Sequence, residues 1–179
     1  MSNQVAGHKT NPSRDPLDWY PTDPGWTHAL MHNCMFSGDI HEPCAGDGCM
    51  ADVISGYGHR VISSDLSPRR AGILQRDALA LGPVANIVTN PPYNLLKDLI
   101  PYWLDTTSHK LAVLVRINFL EAQSRIPWLT GKNTPELVLA VAGRMKVLGK
   151  VSQFPHAWVV WDRSATCAST ELRIVRPLS

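Results

Sequence analysis

Short apolar runs separated by amphipathic stretches set the rhythm of the chain up to about residue 130. Runs at 39–44, 60–64, 84–89 and 111–116 have the length and branched composition of buried strands. Between them, 24–35, 46–55, 68–74 and 95–105 read as helices. The first has Thr22 or Asp23 to cap it and Pro24 in its first turn, and the last carries Pro101 within it. Strands alternating with helices predict a mostly parallel α/β sheet with helices on both faces. After residue 130 the rhythm changes. A short helix at 121–129 and a loop at 130–133 lead into strands at 136–142 and 157–161 that pair directly, with a last candidate at 171–175. This predicts an antiparallel hairpin at the end of the sheet. Trp158 and Trp161 are three apart on a strand and so point to opposite faces, with core packing expected for at least one.

Residues 1–18 are polar and aperiodic and read as a loose N-terminal arm, leaving 19–179 as one domain. At 179 residues the chain can bury a sizeable core, and 44% apolar with 18% charged residues suits a soluble globular protein. The balance of 17 basic to 15 acidic residues neither demands nor excludes a nucleic-acid partner. Without a membrane-length apolar run or a signal peptide, the expected location is cytoplasmic and no membrane contact is expected. Cys34, Cys44, Cys49 and Cys167 lack paired spacing and read as reduced, mostly buried thiols; no metal site is expected.

Two loops carry the chemistry. Asn90-Pro91-Pro92-Tyr93 follows the strand at 84–89. The prolines fix the backbone and remove two N–H donors, so nearby carbonyls stay free to accept. An amide oxygen, a carbonyl and the Tyr93 face suit a flat ligand with an exocyclic amine. Upstream, the run Glu42-Pro43-Cys44-Ala45-Gly46-Asp47-Gly48-Cys49-Met50-Ala51 places GxGxxA between a strand and a helix, where small residues permit close backbone approach. Asp65 ends the next strand about 20 residues on, where an acid can hold the ribose of a nucleoside cofactor. Nothing marks the second nucleotide half that a dinucleotide would need.

The set Tyr20-Pro21-Thr22, Glu42 to Gly48, Asp65, Asp77-Ala78-Leu79 and Asn90 to Tyr93 resembles the S-adenosylmethionine-dependent amino-methyltransferases. Within them it is most similar to the DNA adenine-N6 enzymes of the compact phage and prophage type, over about residues 18–163. The resemblance implies a Rossmann-like class I methyltransferase fold with a seven-stranded sheet. It implies S-adenosylmethionine as cofactor and DNA as partner, with the target adenine flipped if the DNA is duplex. Thr22, with Tyr20 beside it, would contact the methionine carboxylate. Glu42, Pro43, Cys44, Ala45, Gly46 and Gly48 would surround the methionine part, with Glu42 near its ammonium. Asp65 would hold the ribose, and Leu66 would flank the cofactor adenine. Asp77 would accept from the adenine amine, with a backbone contact from Ala78. Asn90, Pro91, Pro92 and Tyr93 would form the catalytic loop, with Asn90 also touching the cofactor. The family often has an acid where this chain has Asn86, a departure that bears on details of the site.

The loops left for reading sequence, around 94–97, 121–133 and 149–155, imply short or relaxed specificity without a separate target-recognition domain, or help from a second subunit. Monomer and homodimer both stay open. Arg116, Arg125, Arg144, Lys146 and Lys150 read singly as solvated charge and together as a basic rim for phosphates; His109 and His156 are given no role. A glutamine-N5 protein methyltransferase, an RNA adenine enzyme and a non-catalytic cofactor or nucleic-acid binder are the alternatives.

Overall fold

The computed structural model describes residues 21–147 and 150–178. The 1–18 arm and the contact expected of Tyr20 lie outside the described residues. In chain order the elements are α1 (Pro24–Asn33), β1 (Ile40–Glu42), α2 (Cys49–Gly56), β2 (Val61–Asp65), β3 (Leu74–Gln75), β4 (Val84–Thr89), α3 (Leu96–Thr106), β5 (Thr107–Arg116), α4 (Ile126–Leu129), β6 (Leu137–Val141), β7 (Lys146–Val147), β8 (Lys150–Val151), β9 (His156–Asp162) and β10 (Glu171–Val175). Asp23 caps α1, its Oδ1 accepting from Gly25 N at 3.0 Å.

Eight strands form one sheet in the order β10-β6-β9-β5-β4-β1-β2-β3. All neighbours are parallel except β9, which runs antiparallel to both β5 and β6. The expected count of seven is therefore one short. The extra strand, β3, is a two-residue edge pair with both residues exposed, too short to leave a periodic signal. The expected β6–β9 pairing is present, but β9 inserts between β5 and β6, so the sheet continues to β10.

Two other expectations are corrected. Residues 68–74 are not helical. Ser67-Pro68 and Gly72 (φ 89°) interrupt a segment too short to repay helix nucleation, and Arg69 N donates instead to Gly46 O at 2.9 Å. The helix expected at 121–129 is a 3₁₀ turn, Gln123–Arg125, followed by the single turn of α4, which Thr130 ends in extended backbone.

The core is split by the sheet. On one face Trp26, Ala29 and Leu30 of α1 and Met50 and Ile54 of α2 pack on Val88, Leu114, Leu139 and Trp158. On the other, Leu96, Leu99, Ile100 and Trp103 of α3 pack on Ile87, Val113, Val159 and Trp161. Trp158 and Trp161 thus fill opposite sides, both fully buried. Their indole N–H groups donate to Trp26 O, and to Trp128 O and Asn133 O, respectively.

Asn86 is fully buried at the far end of the sheet from the β4–α3 loop. Its Nδ2 donates to Ser37 O (2.7 Å) and Asp39 O (3.0 Å), and its Oδ1 accepts from Lys110 N (3.2 Å). One amide thus fastens the approach to β1 and the start of β5 to β4, a task that needs donors. The departure from an acid at this position is accounted for by this stitching. Asn86→Asp would set a carboxylate against two carbonyl oxygens, and we expect it to cost about 3 kcal/mol in urea unfolding at neutral pH. The loss should shrink in acid, where a protonated carboxyl regains one donor.

Candidate active site

Strand order reverses between β1 and β4: the chain leaves β1 toward β2 on one side and returns to β4 on the other. Loops leaving the carboxyl ends of such strands diverge and open a crevice. The crevice here is a cavity of about 360 Å³. Thr22, Glu42, Pro43, Cys44 and Ala45 line it, as do Asp65, Leu66, Asp77, Ala78 and the whole run Asn90, Pro91, Pro92 and Tyr93. Five segments distant in sequence are thereby brought together.

Glu42 ends β1 and is 2% exposed. Burial pushes its carboxyl well above the usual carboxylate range, and Asp47 and Asp65 add to the rise; the Ala51 N–H and the Arg70 charge oppose it. Its Oε2 has no hydrogen-bond partner among the described residues. A buried carboxylate oxygen left in this state on a cavity wall suits a cationic ligand group. Cys44 sits beside it, its thiol pushed far up by burial.

Gly46 and Gly48 do not line the cavity; they shape the loop behind it. Both adopt positive φ (54° and 80°), and a Cβ on Gly48 would run into the Arg70 guanidinium. That guanidinium is held by Asp52 through two bonds, at 2.6 and 3.0 Å. Asp65 ties the loop down: its Oδ2 accepts from Gly46 N and its Oδ1 from Ser67 N, both at 2.8 Å. The carboxylate keeps further lone pairs for a ligand hydroxyl. Asp77 caps a 3₁₀ turn, Ala78–Ala80, by accepting from Leu79 N at 2.9 Å. The Ala78 carbonyl is taken by Trp103 Nε1 at 3.2 Å, which leaves its N–H as the group for a backbone contact.

Asn90 follows β4 directly. Its Nδ2 donates to Thr22 Oγ1 at 3.0 Å, which turns Oδ1 toward the Tyr93 hydroxyl, 3.4 Å away. Thr22 is buried, and nothing in the sequence signals this positioning contact. The Pro92 carbonyl accepts from Leu95 N and closes the turn that presents Tyr93.

Around Tyr93 stand residues that the sequence alone reads as solvated charge or leaves without a role. The Arg116 guanidinium lies over the Tyr93 ring at 4.8 Å, and the His156 ring is 6.1 Å from it. His156 is 4% exposed; burial first, and then the charges of Arg116 and Arg144, hold its value down to about 4. The signal that could have found them is the pairing of β5 with β9, which sets Arg116 opposite His156. Of the other basic residues, Arg125 covers the Phe119 ring at 4.7 Å and Arg144 bonds Gln153 O, so the expected rim is only partly gathered at the cavity. Asp47 and Cys49 of the GxGxxA run also line the cavity, as do Asn94 and Asp98, which no motif singles out. Contrary to the expectation of mostly buried thiols, Cys34 is buried but Cys44, Cys49 and Cys167 are half-buried; all four are free.

No protein-family model and no curated protein sequence matches the chain. Solved structures do. One is described as a class I S-adenosylmethionine-dependent methyltransferase from Listeria monocytogenes: TM-score 0.57, 12% identity, over 87% of this chain and 63% of that one. Another is a type I restriction-modification system methyltransferase subunit from Streptococcus thermophilus: TM-score 0.60, 9% identity, over 84% of this chain and 45% of that one. The chain spans less than two thirds of either neighbour. At these identities the likeness is one of fold: α/β, methyltransferase-like, with a mostly parallel sheet. No helix among the described residues is long and apolar enough to cross a membrane.

Burial of Glu42 makes a prediction for stability. The folded-state value lies above the ordinary 4.5, so as pH rises the unfolded chain loses this proton first and the fold is progressively weakened above about pH 4.5. Glu42→Gln should remove that fall and be the more stable protein at neutral pH, as read by urea midpoints from pH 4.5 to 7. Equal pH slopes for the two proteins would show that the carboxylate finds a compensating partner.

Proposed function

We propose that the chain transfers a methyl group from S-adenosylmethionine to the exocyclic N6 amine of adenine in DNA, with short or relaxed sequence preference. The observation that carries this reading is that one cavity holds both the orphaned Glu42 carboxylate oxygen and the Asn-Pro-Pro-Tyr loop. The wall fits the cofactor's groups. Glu42 would take the ammonium, Asp65 the ribose hydroxyls and Asp77 the adenine amine, with Leu66 against the adenine and Pro43 to Ala45 lining the methionine part. Gly46 and Gly48 act through the shape of the loop. Thr22, buried against Asn90, can serve the methionine carboxylate only while keeping that bond.

S-adenosylmethionine supplies an electrophilic methyl group on a sulfonium. The chain's own task is to make a poor nucleophile reactive. The adenine amine is weak because its lone pair is delocalised into the ring. The Asn90 Oδ1 and the Pro91 carbonyl accept its two protons, draw it toward sp³ geometry and localise that pair on nitrogen. Tyr93 stacks on the ring and sets the line of approach. No base is needed beforehand: as the N–C bond forms and the S–C bond breaks, the sulfur would leave as a neutral thioether, and the nitrogen's extra proton, acidic only then, would pass to solvent. In duplex DNA the base must first leave the stack, at a cost of a few kcal/mol. The description of the Streptococcus thermophilus neighbour as a restriction-modification subunit supports DNA as the acceptor. A cytoplasmic setting, that of the host if the gene is a phage's, is consistent with such a substrate.

The test is transfer of labelled methyl to duplex DNA, single-stranded DNA, RNA and cell protein, with mass spectrometry of the products. N6-methyladenine in DNA is expected; label in protein alone would replace this reading with glutamine methylation. Asn90→Ala should lower turnover about 10²–10³-fold, as loss of an aimed polar group does, while calorimetric binding of S-adenosylhomocysteine falls far less, by no more than the loss of the Thr22 bond brings. Glu42→Gln should weaken that binding about tenfold or more. Full turnover by the Asn90 variant would remove the amide from the mechanism.

A further inference from the structure

The geometry points to Arg116 as the residue that selects a phosphate-bearing planar acceptor, an inference that rests on the methyl-transfer reading above. Its guanidinium is held between two aromatic rings, with Cζ 4.8 Å from the centre of Tyr93 and 4.3 Å from that of Phe154. Phe154 is 42% exposed. Arg116 is half-buried, and among the described residues its Nε has no hydrogen-bond partner and no carboxylate pairs with it. Guanidinium groups taken partly out of water are ordinarily matched by a carboxylate or phosphate through two parallel bonds. Here the charge rests on ring faces alone, a modest return for its desolvation.

The surroundings sharpen this. His156, opposite Arg116 across β5 and β9, is buried, and burial together with the Arg116 charge holds it neutral. It supplies no counter-charge. A flat cation therefore occupies a gap between two aromatic faces, bounded on the Tyr93 side by the cavity that holds Asn90. A gap that takes a guanidinium plane also takes a nucleobase plane, since both stack at similar distances. When a base enters between Tyr93 and Phe154, the guanidinium yields the gap and pairs with the phosphate of that nucleotide. A charge-assisted pair then stands in for the two ring faces, and the Arg116 Nε gains an acceptor. A protein glutamine amide brings neither a ring to fill the gap nor a phosphate to hold the cation, so Arg116 and the two rings discriminate against it.

The probes are 2-aminopurine deoxynucleoside and its 5′-monophosphate, whose fluorescence is quenched on stacking, titrated into the full chain with S-adenosylhomocysteine present. The parent should bind the monophosphate about tenfold more tightly than the nucleoside. Arg116→Ala should abolish that preference while binding the nucleoside as well as or better than the parent, because the gap is no longer filled. Arg116→Lys should retain part of the preference, and Phe154→Ala should lower the quenching of both probes. The proposal is overturned if the parent shows no preference, if the preference survives in Arg116→Ala, or if both ligands weaken equally in that variant. S-adenosylhomocysteine binding is followed in every variant as the check on folding. Its absence in the parent would sink the methyl-transfer reading and this inference with it, whereas its presence without an Arg116-dependent preference would sink this inference alone.

Discussion

Parallel pairing of β1 with both β2 and β4 is the constraint on which the site depends. Crossover connections between parallel strands are right-handed, so a chain that steps one way from β1 and returns on its other side must place successive helices on opposite faces. α2 accordingly lies on one face and α3 on the other. The loops at the carboxyl ends of β1 and β4 cannot cover each other, and a crevice opens between Glu42 and Asn90. The Asp65 carboxylate then keeps that crevice from collapsing. By accepting from Gly46 N and Ser67 N it fixes the β1–α2 loop against the end of β2, where Arg69 N adds a bond to Gly46 O.

The polar groups on the wall conflict with the stability of the fold. Glu42 sits where a buried carboxylate is disfavoured, with one oxygen unmatched among the described residues. Such groups are preorganised for a ligand because the scaffold around them is rigid: Ile40, Ile87 and Val88 alongside are fully buried. Glu42 is placed where a ligand could reach it, while Asn86 at the opposite end has both its donors and its amide oxygen engaged in stitching strands together.

The strands and the main motifs were legible because apolar runs and Gly and Pro positions report on local backbone. β4 matches the apolar run at 84–89 residue for residue, and Asp23-Pro24 marks the start of α1. What was not legible depended on distance or on weak local signals. β3 is too short for a period, and 68–74 has helical composition but spends its backbone on the neighbouring loop. The Thr22–Asn90 bond joins residues 68 apart, and nothing near Thr22 announces it. Gly46 and Gly48 stand out in the sequence as special backbone, but a sequence cannot say whether a glycine faces a ligand or, as here, an aspartate and an arginine of the same chain.

The antiparallel direction of β9 explains how the acceptor side of the site is assembled. A strand inserted parallel between β5 and β6 would begin at the end of the sheet away from the cavity, and only its final residues would reach the crevice. Running antiparallel, β9 begins there: His156 is set opposite Arg116 at the carboxyl end of β5, and the preceding Phe154 is carried over the guanidinium. The second aromatic wall therefore comes from a segment far beyond Tyr93 in the chain, placed by register alone. The same strand anchors the sheet through Trp158 and Trp161, so His156 at its start, and the backbone that leads into it from Phe154, are joined to one of the most deeply buried elements of the fold. Under the reading proposed above, a gap between two ring faces brought together by that register would favour a flat acceptor over a flexible amide.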